Sequence, residues 1–137
     1  MTADKSPRDR DALVSGQSAP RTTVEALPRD LHELRRRCRT LDAAIAAADP
    51  ARIAASARLV ASGWQTARAT LDNAAGNNPH GANAYIALHA AHAVIGQMFQ
   101  RAYDRLDGGS GPGSRARITL HELAATLELS IDAARAP

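Results

Sequence analysis

Aromatic residues are scarce in this chain of 137 residues, which has one tryptophan, one phenylalanine and two tyrosines. Lysine is nearly absent, with Lys5 alone beside sixteen arginines, and Cys38 is the single cysteine. Each shortage excludes something. With so few aromatic and β-branched residues the chain cannot furnish the strands of a sandwich or barrel. A lone cysteine removes the disulfide-stapled secreted scaffold and favours a cytoplasmic setting. Long apolar runs are missing as well. The longest, Ala84 to Met98, is interrupted by His89, His92, Gly96 and Gln97 and is shorter than a spanning helix requires. The opening residues hold no stretch like the core of a signal peptide, so no membrane partner is expected.

What is abundant is alanine, at thirty-one residues about half of the apolar total. Alanine is the best helix former and buries little area, so the composition points to an all-α fold with a thin core. The net charge of +3 comes almost wholly from arginine, a usage typical of GC-rich bacterial coding sequences. Mild basicity of this kind permits an acidic partner or nucleic acid and requires neither.

Periodicity supplies the architecture. Leu27, Leu31, Leu34, Cys38, Leu41, Ile45 and Ala48 alternate in steps of four and three, which places them on one helical stripe. Pro28 and Asp30 suit the first turn of that helix. Asp49-Pro50 ends it and starts the next, since Asp caps a helix and Pro is tolerated at its first position. Ile53, Ala57, Val60, Trp64, Ala67 and Leu71 form a second stripe; Tyr85, Leu88, His92, Ile95, Phe99, Ala102 and Leu106 form a third. Between them, residues 72–83 are rich in Asn, Gly and Pro and read as a loop. Trp64, Tyr85, Phe99 and Tyr103 are expected in the core, and one lying outside would mark a partner site.

The expected organisation is a disordered tail over residues 1–23, a helical core over 24–107, a flexible Gly/Ser linker over 108–114, and a C-terminal helix or partial helix-turn-helix over 115–137. The fold class is an antiparallel up-and-down helical bundle of three long helices plus a short C-terminal helix. Thr119 with Glu122 has capping-box spacing, and Ile118 with Leu123 that of a hydrophobic staple, so the last helix is expected to start near Thr119.

The run from Ile118 to Arg135, with Leu120-His-Glu-Leu-Ala and then Ser130, resembles the helix-turn-helix of bacterial DNA-binding proteins. That resemblance implies Ala124 at the helix crossing, Leu129 as the apolar plug of the turn and Ser130 as cap of a recognition helix placed in the major groove. Glu128 stands where the family usually has glycine. The same letters also fit one further bundle helix.

Arg35, Arg36, Arg37 and Arg39 form the densest basic cluster and, with Arg135, are the candidate contacts to a protein partner or nucleic acid. A solvated outer face is the plainer reading of the cluster. His89 and His92 lie three apart on the third helix, but no acid accompanies them at the spacing a bundle metal site needs, so no metal and no cofactor are expected. No nucleophile elbow or phosphate loop is present, and Cys38 sits on a helical seam as a small apolar side chain would. The expectation is a non-enzymatic, cytoplasmic helical protein that acts by protein-protein interaction or self-association. The alternative is a small DNA-binding transcriptional regulator using the C-terminal segment and the Arg cluster.

Overall fold

The computed structural model describes residues 19–74, 81–109 and 111–132. Among them are four helices and no strand: α1 (Ala19–Ala47), α2 (Pro50–Ala74), α3 (Gly81–Arg105) and α4 (Pro112–Thr126). They form the expected antiparallel bundle. Most of the tail expected to be disordered, residues 1–18, lies outside the described residues, as does Arg135.

Contacts between side chains fix the directions. Thr70 donates to Asp30 at 2.8 Å and Arg37 to the Leu59 carbonyl at 2.9 Å, so α1 and α2 run antiparallel. Trp64 meets His92 with ring centroids 5.3 Å apart and Tyr85 donates to Asp72 at 3.3 Å, which together set α2 antiparallel to α3. Asp42 pairs with Arg101 at 3.0 Å, and Arg105 donates to the carbonyls of Ile45 and Ala46. The first and third helices are therefore parallel neighbours, and Arg105 satisfies carbonyls that the last turn of α1 leaves without helical partners.

The connection between α1 and α2 is two residues long. Ala48 takes a left-handed φ of 53°, and backbone bonds from Ala48 to Ile45 and from Asp49 to Ala44 close a Schellman motif. Asp49 then caps α2 through its side chain to the Arg52 N–H at 3.3 Å. Every stripe residue of α2 is buried: Ile53, Ala57, Val60, Trp64, Ala67 and Leu71. On α1, Leu34, Leu41 and Ile45 are buried, while Leu27, Leu31 and Cys38 are only partly covered. Phe99, Ile95 and Leu88 carry α3 into the core, and Leu106 is buried just beyond its end.

Three expected boundaries shift. The first helix begins at Ala19 and carries Pro28 inside it, although the missing N–H removes one helical hydrogen bond there. The third begins at Gly81, four residues before the first residue of its apolar stripe, Tyr85. The last helix starts at Pro112, so Pro112 to Ser114 belong to its first turn and not to a flexible linker. Pro112 occupies the first helical position after Gly111, whose φ of 81° suits glycine. Thr119 is consequently mid-helix; its hydroxyl donates to the Arg115 carbonyl, and Ile118 is exposed and not stapled to Leu123.

Beyond α4 the chain reverses. Leu129 N–H bonds to the Ala124 carbonyl at 2.8 Å and Glu128 N–H to that of Ala125 at 3.2 Å, a second Schellman motif with Glu128 at φ 58°. Residues 129–132 then run as a non-helical strap alongside α3. Leu129 lies over Gly96, where an added Cβ would come within 3.3 Å of its Cδ2. The Gln100 side chain grips the backbone of Asp132 from both sides, accepting from its N–H at 2.7 Å and donating to its carbonyl at 3.3 Å. The residue where the helix-turn-helix family has glycine does adopt the left-handed turn. Ser130, however, caps no helix over Ile131 and Asp132, because those residues follow α3 in a non-helical path.

Candidate interaction groove

The two flanks of α3 are furnished differently. One is covered by α4, which buries Ala116, Leu120 and Ala124, and by the strap, with Leu127 buried at the turn. The other faces α1 across an open groove of about 500 Å³. Leu31, Leu34 and Cys38 line its α1 side, Ala87, Ala90, Ala91 and Val94 its α3 side, and Arg35 and Arg39 stand on its rim. Its α1 wall spans Leu31 to Arg39, nine residues with a rise of about 12 Å, which is roughly two helical turns.

The sequence builds this opening from small residues. Alanines at 87, 90 and 91 let the α3 wall recede, and the α1 stripe residues that remain half covered, Leu31 and Cys38, are those the recession exposes. Val94 is 50% exposed, and next to the groove Ile86 is 67% exposed. No Lys, Arg, Asp or Glu occurs on α3 from Gly81 through Gln100. Burial raises the pKa of the Cys38 thiol above its ordinary value, which keeps it protonated and apolar in character.

The structure divides the Arg cluster into two pairs. Arg36 forms a forked contact with Glu33, at 2.7 Å to one oxygen and 2.9 Å to the other. Arg37 shares Glu33 at 3.0 Å and donates to the Leu59 carbonyl on α2. These bonds, from Arg36 first and Arg37 second, hold the Glu33 carboxyl below its ordinary pKa. Arg35 and Arg39 enter no ion pair among the described residues, and they sit one turn apart beside the groove. A helical wheel already separates 35 and 39 from 36 and 37; what the sequence did not disclose is which pair would border an opening.

A second, smaller depression of about 320 Å³ lies on the opposite side of α3, where Trp64, Arg68, Tyr85, His89, His92 and Glu128 meet. Its polar groups are largely engaged with one another. His92 Nε2 is 2.7 Å from the Leu127 carbonyl, Arg68 lies over the Trp64 ring and pairs with Asp72, and Tyr85 donates to Asp72 at 3.3 Å. The Trp64 indole N–H is buried without a hydrogen-bond partner. Tyr85, expected in the core, is 42% exposed at this edge, with its hydroxyl turned to Asp72 near the end of α2. Sequence periodicity aligns Tyr85, Leu88 and His92 on α3, with His89 off that stripe; the arrival of Glu128 depends on the reversal after α4. Among the described residues no group of three His, Cys, Asp or Glu side chains converges as metal ligands, and no helix is long and apolar enough to cross a membrane.

With the fold and groove defined, the class is that of an all-α helical bundle. No protein-family model, curated protein or solved structure matches the chain.

Proposed function

We propose that the protein is a non-enzymatic, cytoplasmic binding module that engages another protein, or a second copy of itself, through the α1/α3 groove and the adjoining face of α3. The observation that carries this reading is the apolar, charge-free wall of α3 left open beside α1, with Ile86 and Val94 half or more in solvent. Exposed apolar groups that are contiguous and rimmed by polar ones mark association surfaces more often than scattered single residues do. An amphipathic helix laid into such a groove is a recurrent mode of recognition.

The test is capture of partners by the full chain against an Ile86→Glu/Val94→Glu variant, with light scattering across a wide concentration range. Binding or self-association that is lost in the variant supports the reading. A monomer at all concentrations that retains no protein overturns it. The nucleic-acid alternative has less behind it: Glu33 occupies Arg36 and Arg37, Ile131 and Asp132 are not helical, and Arg135 lies outside the described residues. A duplex complex that weakens steeply with salt and with neutralisation of Arg35 and Arg39 would revive it.

A further inference from the structure

We infer that the α1/α3 groove receives an acidic amphipathic helix of a different protein, with two carboxylates one turn apart facing Arg35 and Arg39 and an apolar stripe on Ala87, Ala91 and Val94. This rests on the protein-binding reading above and specifies the partner's chemistry. Three observations lead to it.

The molecule itself shows what closes a flank of α3. On the covered side, α4 presents Ala116, Leu120 and Ala124 at intervals of four, then Leu127, a stripe of small and medium residues that seats between α2 and α3. The open side is bounded in the same way by two helices with small residues between them, and it extends over about two turns of α1. A helix of similar stripe would complete the layer around α3.

Charge then selects among helices. Arg35 and Arg39 are separated by about 6 Å along α1, the rise of one helical turn plus a fraction, so carboxylates at i and i+4 of a neighbouring helix match their spacing. The α3 wall offers no acid that would compete for them. Guanidinium groups at the edge of an apolar groove gain more from a carboxylate than they would in open water, because the occupant excludes solvent.

A second copy of this chain lacks the required element. Each of α2, α3 and α4 carries a single acid, respectively Asp72, Asp104 and Glu122. On α1, Glu25 has no acid three or four residues away, the closely spaced Asp30 and Glu33 are engaged by Thr70 and by Arg36 and Arg37, and Asp42 is paired with Arg101. A nucleic acid is a poor fit for a wall of alanine and valine, which offers no donor to phosphate and no aromatic face for bases.

The experiment uses the full chain with a photo-crosslinking amino acid at Ala90, irradiated in lysate of the source organism, and peptide mapping of the adducts. The expected adduct is a segment of another protein with helical apolar periodicity and two acids one turn apart. Its yield should fall about tenfold in Arg35→Glu/Arg39→Glu and stay within about twofold in Arg58→Glu, an exposed arginine of α2; circular dichroism verifies that the variants fold. Adducts to a second copy, to residues 1–18 of the same chain, or to a segment without paired acids overturn the inference, as does a yield indifferent to Arg35 and Arg39. Capture that depends on Ile86 and Val94 but not on the arginines would leave protein binding standing and remove only the acidic-helix assignment. Absence of any adduct together with absence of any captured protein overturns both.

Discussion

The two flanks of α3 present the same kind of surface to different fates. Toward α2, the helix is covered by α4 and by a strap that Gln100 and His92 hold in place. Toward α1, a comparable trough stays open, lined by alanine and edged by arginine. Covered apolar area contributes to folding at about 25 cal/mol per Å², while uncovered area contributes nothing to it. The difference teaches that a thin, alanine-rich core does not distribute its cohesion evenly: one flank is completed within the chain and the other is left open.

Substitutions should separate the flanks in order of effect. Leu120→Ala removes a fully buried side chain beneath α4 and should destabilise the protein by about 3 kcal/mol in chemical denaturation, as large-to-small core changes do. Gly113→Ala should come next, at about 2 kcal/mol, because its Cβ would lie 2.4 Å from the Asp107 carbonyl oxygen, a backbone atom that cannot swing aside. Both losses belong to the covered flank. Val94→Ser, on the open flank, should change stability by less than about 0.5 kcal/mol while reducing partner capture. Were Val94→Ser to cost as much as Leu120→Ala, the distinction between the flanks would fail.

The reversal that carries the strap can be sharpened in the opposite direction. Glu128 holds a left-handed backbone that glycine adopts without steric penalty, so Glu128→Gly should stabilise the protein by about 0.5–1 kcal/mol net of the entropy glycine adds to the unfolded chain. Ala48→Gly should behave alike at the α1/α2 turn, and thermal melts report both.

The smallest effect concerns pH. The Glu33 carboxyl has its pKa lowered in the folded protein by Arg36 and Arg37, so its contribution to stability is present above the unfolded carboxylate pKa and is lost as pH falls through the folded value. Glu33→Gln should flatten that acid limb of a stability-versus-pH profile. Because the group is exposed, the amplitude will be slight. The same acidification releases Arg36 and Arg37 from Glu33 on a face of α1 turned away from the groove, so it leaves the open flank unaltered.

Much of the bundle was legible in the sequence. All six stripe positions of α2 are buried because their large residues, Ile53, Val60, Trp64 and Leu71, fix a face unambiguously. The two-residue turn was legible from Asp49-Pro50 for the same reason that it forms: a cap and an N-terminal proline admit few conformations. Where the sequence misled, local chemistry was overruled by packing. Thr119 and Glu122 have the spacing of a cap, yet Pro112 starts the helix about two turns earlier and Gly113 packs against Asp107. The groove was half legible. Its arginines stood out, but alanine marks no preferred face, so nothing in the letters at 87, 90 and 91 announced that they would line an opening beside Leu31.

Cys38 gives that opening a practical property. It is the chain's one thiol, it lies on the groove wall, and burial keeps it protonated and slow to react. An occupant seated over it would slow it further. The rate at which a maleimide reagent adds mass therefore reports how far the groove is covered, and the protein carries its own footprinting label on the groove wall.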